Sequence, residues 1–175
     1  VTASVPSGTS KGGYEAFELL DGGARYDGKG TRQAADKIKT AIAPAILGLA
    51  IDDPAAIDRK ILALDGTETK CNLGGNAILP VSACLYKGAA AALGIPLYQY
   101  FGGRFATELP MPIATVIAGG KHSLSDALDF EDFICIPYGF SSFSEELEAI
   151  ARIRRNLEQA LLKRWGSVSD TGGAL

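Results

Sequence analysis

The sequence has few of the residues that build disulfide frameworks and metal centres. It contains three cysteines, Cys71, Cys84 and Cys135, and a single histidine. The cysteines are odd in number, scattered along the chain and without the spacing of a zinc site, which argues against a disulfide-stabilised secreted domain. A reducing, cytoplasmic compartment is therefore the expected location.

Long apolar runs and charge of one sign are also absent. The longest apolar stretch, residues 41–51, is interrupted by Pro44 and Gly48 and is too short to cross a bilayer, and no signal peptide is visible. The 17 basic and 20 acidic residues are well mixed, and no basic stripe marks a nucleic-acid surface. We therefore expect neither a membrane nor nucleic acid as a partner. The chain begins with Val1 rather than Met, which suggests a trimmed N-terminus.

What is present is the composition of a globular protein, with 47% hydrophobic and 21% charged residues in a chain of 175 residues. This length fits one domain, or one domain and part of another. The first elements predicted are strands at Val1–Val5 and Tyr14–Leu20, the second of which alternates apolar and polar residues. A loop of turn-forming residues, 6–13, joins them.

Helical patterns follow. Residues 31–43 place apolar side chains at helical spacing, and Asp53 followed by Pro54 is a typical start for a second helix. Asn76 is the predicted N-cap of a third helix, which ends at Gly94. Because this third helix is rich in alanine and apolar nearly all round, we expect it to be buried.

The pattern changes in the last part of the chain. Residues 112–117 and 133–137 are short, continuously apolar runs, which is typical of strands buried on both faces. Ser142 and Glu145 form a capping-box pattern that opens a long helix, and Gly166 ends it. The sequence therefore predicts an α+β unit followed by the first strands and helix of a second, barrel-like unit.

One long motif carries a family resemblance. Residues 64–82 read LDGTETKCNLGGNAILPVS, which resembles, without gaps, the LDGT–K–LGANAILGVS pattern of the enolase family. Residues 5–12 are similar to the VPSGAST loop of that family, and residues 110–122 are similar to its NGGSHAG segment. The resemblance extends over essentially the whole chain. The first hairpin of the family and most of its barrel have no counterpart in these residues.

The resemblance implies a fold and an activity. Residues 1–103 correspond to the N-terminal α+β capping domain without its first hairpin, and residues 104–175 to the start of a truncated β/α barrel. Enolases (phosphopyruvate hydratases) are glycolytic, Mg²⁺-dependent carbon–oxygen lyases that convert 2-phosphoglycerate to phosphoenolpyruvate and water. The expected ligands are thus these two metabolites and Mg²⁺, and a homo-oligomer or larger assembly is expected.

The resemblance also implies site residues. Ser10 corresponds to a serine of the family's lid loop that ligates the second Mg²⁺ once substrate is bound. His122 corresponds to a histidine that faces the substrate phosphate. Glu131 and Asp132 occupy the positions of the Gln and Glu of the QEF motif, which lie in the active site and bind substrate. Thr171 occupies the position of the catalytic Glu of the GDEGG loop.

These positions also carry the departures from the family. The hydroxyl of Thr171 is too weak an acid to protonate a departing hydroxide, and Ala118 replaces the Asn of NGGSHAG. Enolases carry their main metal carboxylates and base lysine in later barrel strands, so we expect the 175 residues alone to be inactive. The rival hypothesis is a non-catalytic enolase homologue with a binding or scaffold role. A free-standing binding domain is disfavoured, because the barrel strands would keep unpaired edges.

Each site residue also has an ordinary interpretation. Apart from the resemblance, His122 is a loop histidine, Ser10 a turn serine, and Glu131 with Asp132 a solvated pair at the start of a strand. Asp170, beside Thr171, is interpreted as a turn residue. Both interpretations stay open on the sequence alone.

Overall fold

A computed structural model describes residues 1–8, 12–120 and 129–166 of the chain. The chain divides into two compact units, Val1–Ala106 and Thr107–Leu175. The first unit is helical in its described part, with a short 3₁₀ turn at Arg25–Gly28 and helices α1 (Arg32–Lys37), α2 (Ala43–Ile46), α3 (Pro54–Asp65), α4 (Gly75–Ala92) and α5 (Leu97–Gly102). No helix among the described residues is long and apolar enough to cross a membrane.

The helix predicted over residues 31–43 is confirmed and runs further, because a π-helical segment, Ile38–Ile42, joins α1 directly to α2. In this segment the amide of Ala43 donates to the carbonyl of Ile38. Pro44 follows, and a proline has no N–H to donate while its ring clashes with the carbonyl four residues earlier. A wider turn before Pro44 relieves that clash.

Helix α3 begins as predicted. The side chain of Asp53 accepts a hydrogen bond from the amide of Ala56 at 2.9 Å, and Pro54 occupies the first helical position. Gly66 ends the helix with φ +69°, a left-handed conformation that glycine adopts without strain.

The start of helix α4 differs from the prediction. Gly74, not Asn76, is its N-cap residue, and Asn76 lies inside the first turn. Its carboxamide oxygen accepts from the amide of Leu19 at 2.9 Å, and its nitrogen donates to the carbonyl of Leu19 at 3.0 Å. The oxygen of a carboxamide accepts and its nitrogen donates, so the Asn76 side chain can bond to both the amide and the carbonyl of Leu19. The side chain that could have capped the helix is therefore used in a tertiary contact.

The prediction that α4 is buried nearly all round was also wrong. Its fully buried residues are Ala77, Ala89 and Ala90, whereas Leu79 is 58% exposed. Helices α1, α3 and α5 contact α4, but much of its surface remains half-buried and Leu79 remains exposed.

The two strands predicted near the N-terminus are not formed. Tyr14–Leu20, called the anchor segment below, begins in a turn at Tyr14, continues without regular secondary structure and pairs with no strand among the described residues. Its backbone bonds instead to the loop before α4: the amide of Phe17 donates to the carbonyl of Thr69, and the amide of Gly75 donates to the carbonyl of Phe17, both at 2.7 Å. The alternating pattern therefore predicted a strand wrongly, because the backbone groups of this segment bond to a loop and not to another strand.

The core of the first unit lies between α1, the π-helical segment, α3 and α4. Its buried members are Ala34, Ile42, Ile57, Ile61, Leu73 and Ala77. Burying one isoleucine side chain contributes roughly 1.5–3 kcal/mol, so the apolar spacing of these helices accounts for much of the stability of this unit.

The described part of the second unit contains an antiparallel pair of strands, β1 (Ala114–Ala118) and β2 (Asp132–Cys135). Both strands were predicted, but the prediction that they are buried on both faces was wrong. Phe133 is 41% exposed and Ile134 is 55% exposed. Among the described residues the sheet has only these two strands, so no further strand covers its edges.

Helix α6 (Phe143–Trp165) confirms the predicted capping box in a slightly altered form. The hydroxyl of Ser142 accepts from the amide of Glu145 at 3.3 Å. The carboxylate of Glu145 in turn accepts from the amide of Ser141, one residue earlier than in the standard box, at 2.9 Å. Gly166 ends the helix with φ +75°.

Candidate functional site

The structure describes two of the residues predicted for the site, Glu131 and Asp132. Ser10, His122 and Thr171 lie outside the described residues. The candidate site is therefore described by the β1–β2 hairpin and by Ser7 and Gly12, which lie on either side of residues 9–11.

Glu131 and Asp132 lie at the end of the hairpin where β1 finishes and β2 begins. Asp132 pairs with Ala118, and the carbonyl of Glu131 accepts from the amide of Gly119 at 2.7 Å. A Cβ at Gly120 (φ +65°) would lie 3.2 Å from the Cα of Glu131, so the close approach of the two chains favours glycine there. The backbone of Glu131 is thus held in place, next to the residues that lead towards 121–128.

The side chains of Glu131 and Asp132 are exposed. Carboxylate oxygens suit Mg²⁺, but a Mg²⁺ ion requires about six oxygen ligands in octahedral geometry, several of which are usually water. Residues 1–8, 12–120 and 129–166 contain no group of three or more His, Cys, Asp or Glu side chains that could hold a metal ion. The described residues alone therefore do not fit a magnesium centre.

The flanks of residues 9–11 are both bonded to the anchor segment. The hydroxyl of Ser7 donates to the Glu18 carboxylate at 2.7 Å, and the amide of Gly12 donates to the Glu15 carboxylate at 2.8 Å. From the sequence, these glutamates were predicted only to be the polar residues of an alternating strand. The alternation of charge and apolar residues gave no indication that they would bond to the loop.

A cavity of about 450 Å³ lies beside these flanks in the first unit. Its lining includes Val5 and Pro6 before the loop, the anchor-segment residue Phe17, and Leu62 and Leu79 of α3 and α4. The walls are thus largely apolar.

Asp58 is the one aspartate among the residues that line the cavity. One of its carboxylate oxygens accepts from the Ser82 hydroxyl at 2.8 Å, and the other is buried. Burial, followed by the neighbouring Asp58 carboxylate, raises the pKa of Tyr86. The hydrogen bond between Ser82 and Asp58 therefore joins α4 to α3 at the cavity wall.

The motif at 64–82 builds the fold rather than a site. Its Asp65 is 2% exposed, and its carboxylate accepts from the amide of Leu73 at 2.7 Å, from the amide of Thr67 at 3.0 Å and from the Thr67 hydroxyl. Burial pushes the pKa of Asp65 upward, but the hydrogen bonds from Thr67 and Leu73 outweigh burial and hold this pKa below its usual value. Within the most specific motif of the sequence, the buried carboxylate of Asp65 thus organises the loop between α3 and α4.

Asp21 plays a similar part at the start of α1. Its carboxylate accepts from the amides of Arg32 at 3.0 Å and Gln33 at 2.8 Å, and so caps the helix from a distant position in the chain. The hydrogen bond from Gln33 is the largest of the causes that lower the pKa of Asp21. Because Asp21 lies 11 residues before Arg32, the sequence beside the helix gives no signal of this cap.

Two protein-family models match the chain. The model described as "Enolase, N-terminal domain" matches residues 1–101, and the model described as "Enolase, C-terminal TIM barrel domain" matches residues 106–174. The predicted fold class, an N-terminal α+β domain followed by the start of a β/α barrel, is therefore confirmed.

Curated proteins named "Enolase" are similar over nearly the whole chain. The protein from Thermococcus kodakarensis is 46% identical over 175 residues, and this alignment covers 98% of this chain and 40% of the relative. The protein from Methanopyrus kandleri is 47% identical with 98% and 41% coverage, and that from Pyrococcus furiosus 45% identical with 98% and 40%. The chain thus spans about 40% of the length of these curated relatives.

Proposed function

Because the chain belongs to the enolase family, we propose that it contributes the capping domain and the start of the barrel to an enzyme that dehydrates 2-phosphoglycerate to phosphoenolpyruvate. The observation that carries this proposal is identity of about 45% over 98% of the chain with proteins named enolase. The reaction is a step of glycolysis.

The proposed roles follow the family pattern. Ser10 would ligate Mg²⁺, and His122 would face the phosphate of the substrate. Glu131 and Asp132 would present their carboxylates to the substrate from the end of the β1–β2 hairpin, where the backbone bond to Gly119 holds them. Mg²⁺ would stabilise the negative charge that develops when a proton is removed next to a carboxylate. Because the described residues do not supply a complete ligand set, no step through the metal is assigned to them.

On its own, the 175-residue chain should not dehydrate 2-phosphoglycerate. The reaction needs a metal site and a strong base together, and the described residues include no cluster of three metal ligands. The measurement is the ultraviolet absorbance of phosphoenolpyruvate after 2-phosphoglycerate and Mg²⁺ are added, with the enolase of Pyrococcus furiosus as the positive control. An absorbance rise that EDTA abolishes, and that exceeds a preparation from empty cells, would show that this prediction is wrong.

A second candidate function is a non-catalytic enolase homologue that binds ligands or partners. The observation that favours it is Thr171 at the position of the family's catalytic glutamate, since a threonine hydroxyl cannot act as a general acid near neutral pH. The two candidates predict opposite results for substitution at this position, as argued in the Discussion.

We also propose that the chain self-associates through its second unit. Around β2, five large apolar or aromatic side chains are exposed: Phe130 70%, Phe133 41%, Ile134 55%, Ile136 55% and Tyr138 88%. Exposed apolar side chains on a sheet with open edges favour association.

Sedimentation should therefore show species larger than the 18.3 kDa monomer at micromolar concentration. Replacing Ile134, the exposed partner of Thr115 in the sheet, by threonine should weaken association roughly tenfold, because an isoleucine side chain contributes about 1.5–3 kcal/mol when buried. Leu93→Thr, at an exposed position of the first unit, is the matched control. A concentration-independent monomer would contradict the proposal.

We infer a cytoplasmic location as well. Cys71, Cys84 and Cys135 are unpaired, which is typical of proteins in the reducing interior of a cell.

A further inference from the structure

A second pocket of the first unit, of about 340 Å³, is lined by three basic residues and is called the basic pocket below. These residues are Arg25, Lys29 and Arg32, and all three are exposed. Tyr26 and Thr31 also line the pocket, and among the described residues no acidic side chain does. A concave surface with charge of one sign raises the local concentration of the opposite ion. The basic pocket is therefore suited to an anion.

The three positive charges of the basic pocket are only partly offset. Neither Arg25, Lys29 nor Arg32 forms a salt bridge with another described residue. The pKa of Asp21 is lowered first by a hydrogen bond from the amide of Gln33, and also by the positive charges of the two arginines. This carboxylate therefore lies near both guanidinium groups. One carboxylate against three cations leaves a charge of about +2 at the pocket.

The backbone around the basic pocket is fixed by its own hydrogen bonds. The amide of Asp21 donates to the carbonyl of Gly30 at 2.8 Å, and the amide of Lys29 donates to the carbonyl of Tyr26 at 2.9 Å. The Asp21 carboxylate also accepts from the amide of Arg32 at 3.0 Å. A Cβ at Gly30 would collide with this carboxylate, so the two segments pack closely. A backbone that is ordered before a ligand binds lowers the entropic cost of binding.

The turn that carries Arg25 has an unusual conformation. Tyr26 and Asp27 have φ values of +53° and +52°, and the amide of Gly22 donates to the carbonyl of Gly28 at 3.0 Å across the turn. Left-handed residues with a Cβ persist where the surrounding structure fixes them, and they are concentrated at ligand sites. The guanidinium of Arg25 lies 4.4 Å from the centre of the Tyr26 ring, which restricts its position. Asp27 is exposed and does not line the pocket.

We propose that the basic pocket binds the phosphate group of a small phosphorylated compound. A phosphate monoester carries a charge of about −1.5 to −2 near neutral pH and three acceptor oxygens, which matches the charge of the pocket. Arginine donates two parallel N–H bonds to phosphate, and lysine places a point charge beside it. A ligand with a single carboxylate would leave one cation without a counter-charge. No residue proposed for the dehydration reaction lines this pocket, so the inference is independent of that activity.

The test is equilibrium dialysis of the 175-residue chain against radiolabelled inorganic phosphate at neutral pH and low, constant ionic strength. Binding should be saturable, and Lys29→Ala and Arg32→Ala should each weaken it about three- to tenfold, since each removes one charged contact with the anion. Arg32→Lys keeps the charge but loses the paired N–H donors, so its loss of affinity should be smaller than that of Arg32→Ala.

Lys60→Ala is the matched control. Lys60 is an exposed lysine of α3 that does not line the basic pocket, and its replacement changes the net charge of the chain by the same amount as Lys29→Ala. The affinity for phosphate should therefore stay unchanged in this variant. Arg32 is the first residue of α1, so the circular dichroism of its variants is compared with that of the unchanged chain. Lys29 lies outside every helix and strand, and its variant tests the pocket without this concern.

Two results would overturn the proposal. The first is the absence of saturable binding at millimolar phosphate. The second is an equal affinity of the Lys29→Ala and Lys60→Ala variants, which would show either general attraction to the net charge or binding elsewhere in the chain. Because the assay contains neither Mg²⁺ nor 2-phosphoglycerate, such a failure leaves the proposed enzyme untouched, and a failure of the enzyme proposal leaves the basic pocket untouched.

Discussion

Replacing Thr171 by glutamate should raise kcat for the dehydration of 2-phosphoglycerate by about 10²–10⁴-fold, the usual contribution of a general acid or base. The change should be measured in a chimera in which this chain is followed by the remaining part of the Pyrococcus furiosus enolase, to which it is 45% identical. The chimera supplies the later barrel strands, in which the family carries its metal carboxylates and base lysine.

The reason is the chemistry of the departing hydroxide. A leaving hydroxide must be protonated, and a carboxylic acid does this far more readily near neutral pH than the hydroxyl of threonine. In the proposed enzyme the phosphate and metals would be held by other groups, so KM should change only a few-fold. A rise in kcat with nearly constant KM is the signature of an interaction made in the transition state alone.

Other outcomes discriminate between the candidate functions. Thr171→Ser is the matched control and should have no effect, since it retains a hydroxyl. If the chimera with Thr171 is already as fast as the Pyrococcus furiosus enzyme, another residue is the acid, and Glu131 is the first to test. If neither form turns over while Mg²⁺ and 2-phosphoglycerate still bind, the non-catalytic interpretation is correct.

Replacing Asp65 by alanine should lower the free energy of unfolding of the chain by roughly 2–4 kcal/mol, a large part of the stability of a small domain. The substitution leaves the buried amide of Leu73 and the amide of Thr67 without their acceptor. A buried donor without a partner costs about 1–3 kcal/mol. Urea unfolding followed by circular dichroism measures the change.

Asp36→Ala is the matched control. Asp36 is an exposed aspartate of α1, and surface substitutions usually change stability by less than about 0.5 kcal/mol. Asp65→Asn should have an intermediate effect, because the carboxamide keeps only one acceptor oxygen for donors that reach both. Equal stability of the Asp65→Ala and Asp36→Ala variants would show that the buried network does not hold the loop.

The same network makes stability dependent on pH. The folded-state pKa of Asp65 lies below its ordinary value, so its carboxylate stabilises the fold fully above the unfolded-state value of about 4. As the pH falls below about 4 and passes through the folded-state pKa, this contribution is lost. The Asp65→Ala variant should therefore lose less stability than the unchanged chain when the pH is lowered from 6 to 3.

Local sequence signals predicted the elements whose causes are local. Asp53 and Ser142 cap the helices that they precede, and Gly166 ends α6 in the left-handed conformation. Each of these features depends on groups within four residues, and the side chain needed is next to the backbone that it serves. The apolar spacing of Ile57 and Ile61 is also a local signal, because it follows from the period of a single helix.

Features that depend on distant partners could not be predicted. Asn76 has the sequence position of a cap and serves Leu19 instead, and Asp21 caps a helix that begins at Arg32. Burial was overestimated for α4 and for both strands, because an apolar pattern indicates which residues can be buried but not whether a neighbour covers them. The candidate site shows the same limit: Glu131 and Asp132 were predicted from the family motif, whereas the bonds of Glu15 and Glu18 to the loop flanks were not.

The sequence by itself thus determined the family, the fold class, the start of α3 and both ends of α6, since these follow from a long ungapped motif and from interactions within one helical turn. Only the tertiary structure decided what the polar side chains do. It placed Asp65 in a buried network, Asn76 against the anchor segment, and Glu18 against Ser7. The physical reason is that a hydrogen bond needs its two partners within about 3 Å, and residues far apart in sequence reach that distance only when the core packs them together.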